Sequence, residues 1–170
     1  IDIQMKNANG KEDTAFTVQY DFVMPKRFRL TYVNSQGHDQ ETIVIHRSSI
    51  GSFERIVAFL IEKYKGAFPL WLAPVQVTIL PISEKHNEYA QEIFAKLKTN
   101  DIRTEVNLEN ETLSKKIRAA KLQKIPYLVV LGDKELASTK LTVEGRQEKL
   151  ENISVAEFLN ILQEEIREKK

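Results

Sequence analysis

His46 closes a short apolar alternation (Ile43, Ile45), is followed by Arg47, and stands before a small-residue turn through Gly51 that leads to Arg55, one turn into a helical pattern. An imidazole can ligate a metal or carry a proton, and a guanidinium fixed near a helix start can clamp phosphate. By residue type alone a histidine at a strand end is more often structural, and Arg55 is an ordinary exposed charge. Upstream, Phe16–Phe22 (FTVQYDF) repeats with a period of two. That spacing puts Thr17, Gln19 and Asp21 on one face and Phe16, Val18, Tyr20 and Phe22 on the other. The polar face is either solvent-exposed or the wall of a site. Far downstream, Lys115, Lys116, Arg118, Lys121 and Lys124 fall along one short helical pattern just after Asn110-Glu111. A cationic run is usually a solvated face, but here the acidic stretches lie elsewhere (Glu105, Glu109, the tail from Glu164). Contact with a phosphate backbone through Lys115, Lys116, Arg118 and Lys121 is therefore the expectation.

The elements that position these residues read in two styles. Up to His46 the chain is antiparallel β: Ile1, Ile3 and Met5 alternate, Asn9-Gly10 turns them, and Phe16–Phe22 returns. Pro25 ends that strand; Phe28, Leu30 and Tyr32 mark the next, which Ser35-Gln36-Gly37 turns into Thr42–His46. A helix then places Ile50, Phe53, Val57, Leu60, Ile61 and Tyr64 in one stripe expected to be buried, and Gly66 stops it. AFPLWLAP (67–74) is stiff and apolar, a packed connector. Beyond it come a strand at 75–80, a helix with Tyr89, Ala90, Ile93, Phe94 and Leu97 inward, a strand at 102–106, a helix at 113–123, a buried strand at 126–131, a strand near Thr142-Val143 and a last helix opened by Ser154 with Glu157 as a capping box. Strand and helix alternating from 75 to 131 imply a parallel or mixed sheet covered by helices.

The bulk composition limits the possibilities. The chain has 170 residues, is 42% hydrophobic and 29% charged, and carries a formal net charge of +1, so any basic surface is local. It has no cysteine, which removes disulfides and thiolate metal sites and fits a reducing compartment. No apolar run approaches the roughly 18–20 residues that span a bilayer, and the cytoplasm is the default location.

Strand, His46-Arg47, glycine turn, Gly51-Ser52-Phe53-Glu54-Arg55 and then WLAPVQV (71–77) together resemble motif 3 of class II aminoacyl-tRNA synthetases, in the form seen in threonyl-tRNA synthetases. The resemblance runs from Ile1 to Glu165. It implies residues 1–72 as the C-terminal part of a class II catalytic domain and residues 73–170 as an anticodon-binding domain. The implied fold is α/β: the end of an antiparallel sheet, then a three-layer α/β domain with a mixed or parallel sheet. His46 is implied as one of three zinc ligands, the others outside this chain. Zinc that binds the threonine hydroxyl separates it from valine, which an apolar pocket rejects poorly. Arg55 is implied to clamp ATP phosphate as charge spreads during adenylate formation, with Gly51 and Ser52 at the nucleotide. DTAFTVQYDF (13–22) lies where the family reads close to WQCGTIQLDF, so Thr17 and Gln19 are implied to line the amino-acid and adenylate pocket. Phe16, in place of a small residue, is expected to intrude on it.

NLENETLSKKIRAAKLQKIPYLVVLGDKE (107–135) resembles the anticodon-binding domain shared by the threonyl, prolyl, glycyl and histidyl enzymes. Asn110 and Glu135 match its base-reading positions, whereas Glu144 stands where an arginine is common. The implied parent is a threonine–tRNA ligase that uses ATP with Mg2+ and Zn2+, acts on threonine and tRNA(Thr), and forms a homodimer away from membranes. This piece, lacking motif 2, is expected to be inactive alone and to hold neither metal nor nucleotide. The alternative is a catalytically decayed, synthetase-like tRNA-binding or regulatory protein, to which Ala15-Phe16 and Glu144 would belong.

Overall fold

The first alternating segments fold as a hairpin of β1 (Asp2–Lys6) and β2 (Glu12–Asp21), with Gly10 in the left-handed conformation its turn requires. In the computed structural model, which describes residues 1–170, a one-turn helix α1 (Met24–Arg27) follows, begun rather than blocked by Pro25. Next comes a separate two-stranded ribbon, β3 (Thr31–Val33) with β4 (Asp39–Glu41). The expected return of this hairpin through Thr42–His46 does not occur. Thr42–Ile43 leaves the ribbon, and β5 (Val44–Ser48) pairs antiparallel with β2, giving the order β1-β2-β5. Partners run Ile3 with Phe16 and Gln4 with Thr14, so Ala15 is an unpaired bulge in β2. The helix α2 (Phe53–Tyr64) buries none of its residues fully. Phe53 is 76% exposed, and Ile50 and Ile61 are exposed with it. The stripe is real but a three-stranded sheet and one helix are too few to enclose it.

Residues 75–168 form an α/β sandwich: β6 (Val77–Pro81), α3 (Asn87–Thr99), β7 (Thr104–Val106), α4 (Leu113–Leu122), β8 (Tyr127–Leu131), α5 (Asp133–Ser138), β9 (Leu141–Gly145), β10 (Lys149–Ile153) and α6 (Val155–Glu168). The sheet order is β10-β9-β8-β6-β7. β6, β7 and β8 are parallel, and β9 and β10 run antiparallel to their neighbours. On one face Val77, Ile79, Val129 and Val143 meet Ile93 and Leu97 of α3 and Phe158 and Leu162 of α6. On the other, Leu80 and Leu128 meet Ala120 of α4, with Leu113 and Ile117 alongside. The chain enters at β6, moves one way to β7, then crosses back over β6 to β8. The connections therefore diverge between β6 and β8, a switch point of the kind at which open α/β sheets bind ligands, at the C-terminal ends of the strands.

The two compact units are Ile1–Lys63 and Tyr64–Lys170. The stretch 64–72, placed by the family resemblance with the first piece, packs into the second. Leu70 is buried in its core, Arg103 donates to the carbonyls of Ala73 and Trp71 at 2.8 and 2.9 Å, and the buried Gln76 amide donates to Leu70. In the second unit α5 and β10 escaped the sequence pattern, both short and mostly polar outward. No helix is long and apolar enough to cross a membrane.

Phe158 is fully buried against Tyr127, edge to face with ring centroids 5.6 Å apart. Replacing it with alanine is expected to cost the second unit about 3–5 kcal/mol. Trp71, the sole tryptophan, belongs to the same unit, so its fluorescence in a guanidinium titration reads the loss as a lowered midpoint.

Candidate functional site

In the first unit the site grows from strand register. β2 and β5 pair Thr17 with Ser48, Gln19 with His46 and Asp21 with Val44. Cross-strand partners share a face, so Thr17, Gln19, Asp21, His46 and Ser48 lie together on one side of the sheet. Two side-chain bonds agree. The Thr17 hydroxyl donates to Asp2 Oδ1 at 2.5 Å, and His46 Nε2 lies 3.0 Å from Asp21 Oδ2. Asp21 Oδ1 also accepts the backbone N–H groups of Val23 and Met24. The Met24 N–H, His46 and the Val23 N–H hold its carboxyl below the ordinary range. Phe16 pairs with Ile3 and lies on the opposite face from Thr17 and Gln19. Alternation turns its ring away from the face that carries Thr17, Gln19 and His46.

The glycine turn is built against the β2 bulge. Gly51 takes φ +71°, and a Cβ there would sit 2.8 Å from the Ala15 carbonyl oxygen. Its N–H donates to Ser48 Oγ, and the Arg55 N–H donates to Ser52 Oγ at 3.2 Å, the capping bond that starts α2. The Arg55 guanidinium donates to the Thr14 carbonyl at 3.2 Å while remaining exposed. No three residues of types that ligate metals lie together, so the residues present do not make a zinc site; His46 supplies one nitrogen only.

In the second unit Asn110 is exposed on the β7–α4 loop, and Glu135 stands at the third position of α5. Glu135 is 9% exposed. Its Oε2 accepts the Gly132 N–H at 3.0 Å and its Oε1 the Thr142 hydroxyl at 2.7 Å. Burial pushes this carboxyl up, but Thr142 and Gly132 together outweigh it and leave the pKa lowered. A residue expected to read bases is thus also a helix cap.

Of the cations, Lys115, Arg118 and Lys121 recur along the exposed side of α4. Lys115 pairs with Glu111, and Lys121 Nζ lies 2.5 Å from Glu144 Oε1. Lys116 does not join them. It is 4% exposed and donates to the Pro81 and Asn107 carbonyls, both at 3.1 Å. Helical spacing turns it under α4, so it is no backbone contact.

Beside α4 the register aligns Thr142, Glu144, Lys149 and Glu151 on a face of β9 and β10. Sequence spacing did not mark Thr142, nor the clasp of His86, buried with Nδ1 accepting the Ser83 N–H and Nε2 3.0 Å from Asp133 Oδ1. Residues 83, 86 and 133 meet only because β6 and β8 are neighbours, and the clasp fixes the start of α5 next to Glu135.

Gly51→Ala is expected to destabilise the first unit by about 1–3 kcal/mol, from left-handed backbone plus the Ala15 contact; denaturant titration followed by circular dichroism measures it. For Glu135 the lowered folded pKa means stability that is present above the ordinary glutamate range and lost as pH falls through it. The stability gap between wild type and Glu135→Gln should therefore be steady above about pH 5 and narrow below it, as Trp71-monitored unfolding across pH would show.

A family model described as the anticodon binding domain matches residues 76–165. The threonine–tRNA ligase of Oceanobacillus iheyensis is 46% identical across 100% of this chain, which spans 27% of that protein. That of Clostridium botulinum strain Eklund 17B is 47% identical over 86% of this chain and 23% of its own length. The solved RNA binding domain of threonyl-tRNA synthetase from Cryptosporidium parvum Iowa II superposes with a TM-score of 0.78 at 31% identity, covering 96% of this chain and 42% of that one. The chain spans only about a quarter of the curated relatives it matches. With a mixed sheet of this order and a family match over residues 76–165, this chain belongs to the anticodon-binding-domain family.

Proposed function

We propose that this chain is the anticodon-recognising part of a threonine–tRNA ligase, joined to the last strands and motif 3 of its catalytic domain. The parent joins ATP and threonine into threonyl-adenylate and passes the threonyl group to the 3′ end of tRNA(Thr). The observation that carries the reading is the match of residues 76–165 to the anticodon binding domain. Asn110 and Glu135 read anticodon bases, while Lys115, Arg118 and Lys121 meet the RNA backbone.

The first unit contributes a wall of the synthetic site. Thr17 and Gln19 line the amino-acid and adenylate pocket, Gly51 and Ser52 shape the nucleotide side, and Arg55 clamps phosphate. Support comes from the shared face of Thr17, Gln19 and His46 and from the turned-away Phe16, which favours the ligase over a decayed relative. His46 is one of three zinc ligands: a histidine with one ring nitrogen at a carboxylate, here Asp21, offers the other to a metal. Bound zinc would hold the hydroxyl of threonine, and Mg2+ would accompany ATP. The parent is a cytoplasmic homodimer.

The test is a titration of labelled threonine tRNA with the 170-residue chain at two salt concentrations. Wild type should bind with an affinity that falls steeply with salt, and Arg118→Ala or Lys121→Ala should each lower the log–log slope by roughly 0.7–0.9. Asn110→Ala should lose anticodon discrimination by about 1–3 kcal/mol with little change in slope. Weak, salt-insensitive binding by wild type and variants alike would refute the proposal.

A further inference from the structure

The crossover that carries α4 over β6 leaves a groove of about 240 Å³ between α4 and the edge strand β7. Thr78 and Leu80 of β6, Glu105 of β7, Glu109 of the following loop, and Lys116 and Ala119 of α4 line it. Thr78 is 5% exposed, and its hydroxyl has no hydrogen-bond partner. Buried hydroxyls are nearly always paired, because an unmet one costs its hydration. Thr78 is also paired in register with Glu105, so both point to the α4 side of the sheet. Lys116 is the second unusual group. Its ammonium has three donors and gives two to the Pro81 and Asn107 carbonyls, leaving one for the groove.

The lining selects among ligands. Two carboxylates, Glu105 and Glu109, against one ammonium disfavour a phosphate. Leu80, Ile125 and Ala119 offer apolar surface to a flat ring. Hydrogen-bond acceptors at the rim and donors beneath suit a neutral ring bearing an amino group and a carbonyl on either side of one ring nitrogen. Asn110 follows Glu109 directly, so the groove begins where the base-reading loop of the proposed function begins.

We infer that this groove receives one unstacked nucleobase of the bound RNA, a guanine or cytosine. Its exocyclic amine donates to the Glu105 or Glu109 carboxylate, and its ring carbonyl accepts from Lys116 and the Thr78 hydroxyl. Single-stranded loops are read in this way, by splaying a base out and bonding its edge. The inference rests on the RNA-binding reading above.

The experiment uses the 170-residue chain, a fluorescein-labelled anticodon stem-loop of threonine tRNA, and the same stem-loop with an abasic site at each loop position in turn. Thr78→Val keeps shape and removes the orphan hydroxyl; Ala119→Phe fills the groove without touching a hydrogen bond. Thr78→Val should melt at or above the wild-type temperature yet bind about two- to tenfold more weakly. Ala119→Phe should weaken binding about tenfold. One abasic position should weaken wild type by about as much and leave Ala119→Phe unaffected. If wild type binds and both variants match it at every position, the groove is not a base site while the RNA-binding reading stands. If wild type itself fails to bind the stem-loop, both fall together.

Discussion

A buried ammonium holds the business end of the second unit. Lys116 reaches from beneath α4 to the last carbonyl of β6 and the first carbonyl after β7. Burying a cation is costly unless its donors are met, and here two strand ends meet them. The bond does more than satisfy a lysine: it fixes the distance between two parallel strands at the edge where their loops open. Asn110 leaves from one of those loops. The His86 clasp to Ser83 and Asp133 does the same work one strand over, joining the end of β6 to the start of α5 and so to Glu135.

The first unit shows the same economy. Gly51 is needed because the Ala15 carbonyl of the β2 bulge occupies the space a side chain would take. Ser52 starts α2, and Arg55 ties that helix back to the strand at Thr14. Each of these residues has a chemical reading and a structural one, and the two are compatible. A phosphate-binding guanidinium must be held in place, and a capped helix beside a bulged strand is a rigid support.

The open apolar surface of this unit has a physical reading. Phe22, Phe28, Phe53, Ile43 and Ile45 stay exposed because three strands and one helix cannot enclose them.

Local pattern determined much by itself. Period-two and helical spacing located β1, β2, α2, α3, α4, β8 and α6, and fixed which residues of β2 share a face, because alternation is a property of the backbone. Motif order offered Thr17, Gln19, His46 and Arg55 together; the β2–β5 register puts the first three on one face, and Arg55 bonds the Thr14 carbonyl. Tertiary structure decided what local pattern has no access to. Helical spacing marked a cationic run but not that Lys116 turns under α4 while Lys115, Arg118 and Lys121 stay out. The family resemblance offered Glu135 as a base reader, and only the fold closed both of its oxygens on Gly132 and Thr142. The resemblance put 64–72 with the first piece, yet Leu70, Arg103 and Gln76 bind that stretch to the second. In each case the deciding partner lies on another element, often tens of residues away. Which partners meet is set by the crossing of the chain over β6, a consequence of the whole sheet and of no single segment within it.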